Sequence, residues 1–195
     1  MSRADNPSVG HSDDVFPNKL GRISLVIGPM FAGKTEELIR NAGRARAAQL
    51  PYVFVRPLCD TRHAELQSHG ETLARGRVAR GNALADCDVQ DARVVLVDEG
   101  QFFPDLALQC SRWAREGRQV FVAALDGTAE RDPFPAVAAL LPLCDSVCKL
   151  RAICMLCRRR DAPFTKRMGA PPATSTTVDI GGSDKYAAAC RACWR

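Results

Sequence analysis

One stretch of eight residues constrains this chain more than any other. Gly28-Pro29-Met30-Phe31-Ala32-Gly33-Lys34-Thr35 fits the pattern GxxxxGK[ST] at every specified position. It follows a β-branched run, Arg22–Ile27, and precedes a proline-free stretch, Glu36–Leu50, that predicts a helix despite Gly43. Strand, glycine-rich turn and helix in that order aim backbone N–H groups and the positive end of a helix dipole at phosphate oxygens. In such a loop Lys34 sets a point charge against the β- and γ-phosphates, and Thr35 offers a hydroxyl to Mg²⁺. The plainer reading is a glycine turn carrying a solvated lysine, and the strand-to-helix context argues against it.

The next 115 residues keep the alternation. Tyr52–Arg56, Arg93–Val97 and Gln119–Ala124 predict further strands. Pro104 opens a helix on which Leu106, Cys110 and Trp113 recur at i, i+4 and i+7 as one apolar face. Strands alternating with helices predict an α/β domain over residues 21–149, built on a mostly parallel sheet. Asp98 and Glu99 directly follow the strand Arg93–Val97, where open α/β sheets present their ligand crevice. An Asp there suits Mg²⁺, and the neighbouring Glu suits a base that deprotonates the group attacking the γ-phosphoryl. These residues alone leave water and an alcohol equally open as that group.

After about residue 150 the character changes. Residues 149–195 carry a net charge of +7, against −2 for residues 1–148. Two CxxC knuckles, Cys154-Met-Leu-Cys157 and Cys190-Arg-Ala-Cys193, are separated by 32 residues. Each knuckle sets two thiolates on one side of a tight turn, so the pair predicts a closed, structural Zn–S₄ site at the base of a long loop. Its formal −2 charge has Arg158, Arg159, Arg160 and Arg191 nearby in sequence. Cys144 and Cys148 are expected to be packing residues, and Cys59, Cys87 and Cys110 core or surface thiols. Nine cysteines, an odd number, with no apolar leader in the polar stretch 1–20, predict a flexible tail, a reducing compartment and a cytoplasmic protein. The apolar runs are too short to span a bilayer.

Phosphate loop, acidic pair and cysteine quartet, together with DTR (60–62), DEGQFF (98–103), AALDGT (123–128), FTKR (164–167) and GGSDKY (181–186), make the chain resemble the thymidine kinases of the cellular and poxviral type from about Gly21 to Trp194. The resemblance implies a RecA-like domain, a zinc-held lasso over residues 150–195 that closes on the nucleoside, a homotetramer, and inhibition by dTTP. It implies transfer from ATP to the 5′-hydroxyl of thymidine, and of deoxyuridine, in nucleotide salvage. Glu99 is then the base, with Arg62 and Lys34 as the other catalytic residues. Asp98, Glu99 and Gln101 join residues 28–35 around ATP and Mg²⁺. Met30, Phe102, Leu125, Thr128, Phe134, Thr165, Thr177, Gly181 and Tyr186 surround the nucleoside, with the main chain of 181–186 reading the base.

Two departures stand out. Ala129 occupies the place after the ALDGT block where the family usually has an aromatic residue, which is expected to open part of the base pocket. Gly70, after His69, replaces an acid often found there. A competing reading, a nucleic-acid-stimulated ATPase with a zinc ribbon, fits the basic segment. It is disfavoured because residues 150–195 offer only Phe164, Tyr186 and Trp194 for stacking, so no nucleic-acid partner is expected.

Overall fold

The β-branched runs pair side by side into a sheet. In the computed structural model, which describes residues 20–60, 76–169 and 181–195, β1 (Arg22–Gly28), β2 (Tyr52–Pro57), β3 (Gly76–Gly81), β4 (Val94–Val97), β5 (Gln119–Leu125) and β6 (Ser146–Lys149) form one sheet in the order β3-β2-β4-β5-β1-β6. Every neighbouring pair in it is parallel. Alternation along the strands divides the core into two layers. Ile23, Leu25, Ile27, Val53, Val55, Val95, Val97, Val120, Val122 and Ala124 meet Leu106, Cys110 and Trp113 of α2 (Leu106–Arg115) and Val137 and Leu140 of α3 (Pro135–Leu140). On the other face Tyr52, Phe54, Val94, Leu96 and Ala123 meet Leu38, Ala42 and Ala45 of α1 (Lys34–Ala47). A parallel sheet covered on both faces needs near-continuous apolar strands, which is what β2 and β4 supply.

Several expectations shift. The first helix runs Lys34–Ala47 rather than Glu36–Leu50: the phosphate loop's Lys and Thr already lie in its first turn, and Gln49, at φ 57°, turns the chain before Pro51. β3, β6 and α3 were not foreseen. β3 reads GRVARG, with glycine at both ends, and exists through its pairing with β2. Cys148 does not pack; it lies exposed on the edge strand β6, whereas Cys144 leans on the core.

Beyond Lys149 the strands are short and antiparallel. β7 (Ala152–Ile153) pairs with β8 (Asp161–Ala162), and β9 (Phe164–Arg167) with β10 (Tyr186–Ala189), after which α4 (Arg191–Trp194) follows. A small core of Ala152, Cys154, Ala162, Ala188 and Cys190 joins them, and Ala32 of the phosphate loop packs against it. Leu150 ties the junction to β1: its N–H donates to the Ile27 carbonyl at 2.8 Å. A Cβ on Gly28 (φ 150°) would sit 2.7 Å from the Leu150 carbonyl oxygen, so only glycine lets the two backbones approach this closely.

Candidate functional site

Because the six strands run the same way, their C-terminal ends gather along one edge: the loop after Gly28, Asp98–Gln101 after β4, Leu125 at the end of β5 with Asp126–Thr128 after it, and Leu150 after β6. Topology thus brings the phosphate loop and the acidic pair to one place, with β5 between their strands.

In the phosphate loop Phe31 (φ 64°) and Gly33 (φ 80°) adopt left-handed backbone, which turns successive N–H groups inward. Lys34 Nζ donates to the Pro29 carbonyl at 2.7 Å, folding the ammonium back over the loop. Met30 N–H donates to Thr165 Oγ1 at 3.1 Å, anchoring mid-loop to β9. The Thr35 hydroxyl lies 3.2 Å from both carboxylate oxygens of Asp98.

Asp98 is 2% exposed. Burial raises its pKa and the adjacent Glu99 carboxylate raises it further; Arg56, the Thr35 hydroxyl and the Glu99 N–H pull the other way without reversing the shift. The Arg56 guanidinium, 1% exposed, reaches the Asp98 carboxylate at 3.2 Å. A buried carboxylate and a hydroxyl with too little positive charge around them make an oxygen donor set that suits Mg²⁺. Arg56 escaped the sequence reading. A lone Arg inside the apolar run Tyr52–Pro57 was its signal, since a fully buried guanidinium needs a buried acid.

Glu99 is held in left-handed backbone (φ 52°), a conformation that costs a non-glycine residue about 1–3 kcal/mol and concentrates at functional sites. Its Oε2 accepts from Gln101 Nε2 at 2.5 Å, while Gln101 Oε1 accepts the Leu125 N–H at 3.0 Å. Gln101 therefore ties Glu99 to the end of β5 and fixes which way its own amide points.

The other expected site residues divide. Phe134 (6% exposed) caps α3 from within the main core, and Leu125 packs against that core. Phe102 is half-buried. Thr128 Oγ1 accepts the N–H groups of Glu130 and Asp132, which makes it the organiser of a turn. Tyr186 is buried on β10 and its hydroxyl accepts from Arg167 at 2.8 Å, while the Gly182 carbonyl accepts the Tyr186 N–H. Gly181 precedes that turn, half-buried. Arg62, Thr177, His69 and Gly70 lie outside the described residues.

The cysteines of both knuckles converge. The four Sγ atoms lie within 4.8 Å of one another, and those of Cys157 and Cys190 are 4.0 Å apart. A tetrahedral Zn–S₄ shell needs sulfur–sulfur separations of about 3.8 Å, so the quartet fits zinc. Burial works to raise the Cys154 thiol, but N–H groups from Cys157, Cys190 and Leu156 outweigh it and bring it down to about 6. The neighbouring Cys193 goes the other way, chiefly because Cys190 bonds its protonated form. Four thiols this close need a cation before all can ionise.

Among the described residues no helix is long and apolar enough to cross a membrane. A family model described as "Thymidine kinase" matches residues 21–194. The chain is similar to a thymidine kinase of Monkeypox virus, 43% identical over 180 residues that cover 89% of this chain and 97% of the relative. It is 40% identical to a cytosolic thymidine kinase of Gallus gallus over 183 residues (89% and 77%), and 41% identical to one of Bos taurus over 181 residues (89% and 72%).

Proposed function

The chain belongs to the thymidine kinase family, and from that premise we propose that it moves the γ-phosphoryl group of ATP to the 5′-hydroxyl of thymidine, and of deoxyuridine, in nucleotide salvage. The observation that carries the reading is the pairing of Glu99, held by Gln101 and Leu125, with the Thr35–Asp98 cradle at the mouth of the phosphate loop.

Backbone N–H groups of Phe31, Ala32 and Gly33 and of the helix start take the phosphate oxygens, and Lys34 exchanges its Pro29 carbonyl for the β- and γ-phosphates. Thr35 and Asp98 would hold Mg²⁺, which would supply positive charge against the phosphate oxygens. Glu99 takes the proton of the nucleoside 5′-hydroxyl as that oxygen bonds the γ-phosphorus and the bond to the β-phosphate oxygen breaks, releasing ADP. Arg62 is assigned to charge on the phosphoryl group in flight. Met30, Phe102, Leu125 and Phe134 line the nucleoside side with Thr128, Thr165 and Thr177, and the main chain of Gly181–Tyr186 reads the base. We assign residues 21–149 to the nucleotide-binding unit and 150–195 to a lasso whose two ends Zn²⁺ staples at Cys154, Cys157, Cys190 and Cys193. Cytoplasmic location, a homotetramer and dTTP as inhibitor complete the proposal.

The test is a nucleoside panel with Mg-ATP, products identified by mass. Thymidine is expected to yield dTMP. ADP release without a phosphorylated nucleoside, or stimulation by DNA, overturns the reading.

A further inference from the structure

Trp194 is the residue after Cys193, and its indole N–H is shared between two carbonyls on two different segments: Thr165 O at 3.1 Å and Ala129 O at 3.2 Å. Thr165 is the residue whose hydroxyl holds the Met30 N–H, so one residue separates the indole from the phosphate loop. Ala129 belongs to the turn after β5, which is closed by Thr128 N–H to Asp132 O at 2.9 Å and Arg131 N–H to Thr128 O at 3.0 Å. From that turn Arg131, in left-handed backbone (φ 73°), lays its guanidinium 3.8 Å from the indole centroid. The turn has only a methyl group at residue 129; it is gripped instead by its carbonyl and by its arginine.

We propose that Trp194 is a positioning residue that couples the cysteine quartet to the nucleoside side of the site, through Thr165 on one side and the 128–132 turn on the other. The inference rests on the kinase reading above. Its physical basis is geometric: the knuckle Cys190–Cys193 sets where α4 lies, α4 carries the indole, and the indole fixes the spacing between β9 and the turn after β5. Glu99 is held separately, by Gln101, so displacing Trp194 loosens nucleoside binding more than it slows proton removal.

Trp194→Phe keeps a ring for Arg131 and removes the donor; Trp194→Ala removes both. With metal content and melting temperature like wild type, Trp194→Phe is expected to raise the thymidine KM about tenfold, as loss of one well-placed hydrogen bond does, with kcat held within about threefold. Trp194→Ala is expected to raise KM further. A second readout needs no turnover. The chain has two tryptophans, and Trp113 is buried in the main core. Metal removal by a chelator should therefore shift emission in wild type and leave Trp194→Phe unmoved. A wild-type KM in Trp194→Phe, a fall in kcat alone, or a chelator shift that persists in Trp194→Phe overturns the proposal. If wild type phosphorylates no nucleoside the kinase reading fails, and the emission arm still reports whether metal and Trp194 are coupled.

Discussion

Glu99→Gln isolates the base from everything else Glu99 does. Gln has the same length and can keep accepting from Gln101 Nε2, so the bridge from residue 99 through Gln101 to the Leu125 N–H survives. The left-handed backbone at residue 99 is shared by both side chains, so its strain cancels in the comparison. Removing the Glu99 charge also removes one of the two causes that raise Asp98, leaving the Mg²⁺ cradle at least as well ionised as before. Loss of a positioned general base lowers the rate by about 10²–10⁴-fold, a barrier increase of about 3–5 kcal/mol. Steady-state kinetics with Mg-ATP and thymidine should therefore show kcat lower by that factor, with the ATP KM within about threefold and an unchanged melting temperature. Turnover within about threefold of wild type would falsify the assignment. So would a loss of kcat accompanied by equal losses in ATP affinity and stability, since that pattern belongs to a broken scaffold.

Three further outcomes are expected. Arg56→Met leaves the buried Asp98 carboxylate without its guanidinium and should destabilise by about 3–5 kcal/mol at pH 7 in urea unfolding. Asp98 is already raised, so the folded chain keeps its proton to a higher pH than the unfolded chain does; the variant raises it more, and its deficit should shrink as pH falls and Asp98 protonates. A deficit that does not change with pH contradicts this account. Cys190→Ser removes a buried member of the quartet and should lose bound zinc by native mass spectrometry together with activity; full metal retention rules out the four-thiolate site. Brief iodoacetamide treatment at pH 8 should label the exposed Cys59 and Cys148 and spare Cys87, Cys110 and Cys144, whose thiols burial pushes up, Cys87 and Cys144 to about 11; peptide mapping that finds Cys110 labelled first refutes the burial argument.

What was legible in the sequence was whatever has a local cause. Apolar strands buried on both faces read as uninterrupted β-branched runs, and the phosphate loop carries its geometry in its glycines. CxxC spacing is itself a statement about a turn, so the quartet needed no tertiary information beyond the meeting of its halves. The strands β3 and β6 were hidden because they lie at the sheet's edges, where exposed Val78, Val147 and Cys148 blur the apolar signal and pairing with β2 or β1 supplies the stability. Arg56 and Trp194 were hidden for another reason. Each acts through a partner more than 25 residues away in sequence, Asp98 for one and Ala129 with Thr165 for the other, and periodicity carries no record of such a meeting.

The inward-folded Lys34 has a consequence for what the loop admits. An ammonium folded back onto a carbonyl at 2.7 Å gives up a charge-assisted bond, worth about 1.5–3 kcal/mol, when it swings out to a visitor. Every anion faces that same threshold, but a lone sulfate or orthophosphate has few contacts with which to offset it, whereas a polyphosphate recovers it along the whole row of amides. The resting loop is thus expected to favour a polyphosphate over the small anions that crowd any cell, keeping its cation for a visitor long enough to reach both ends.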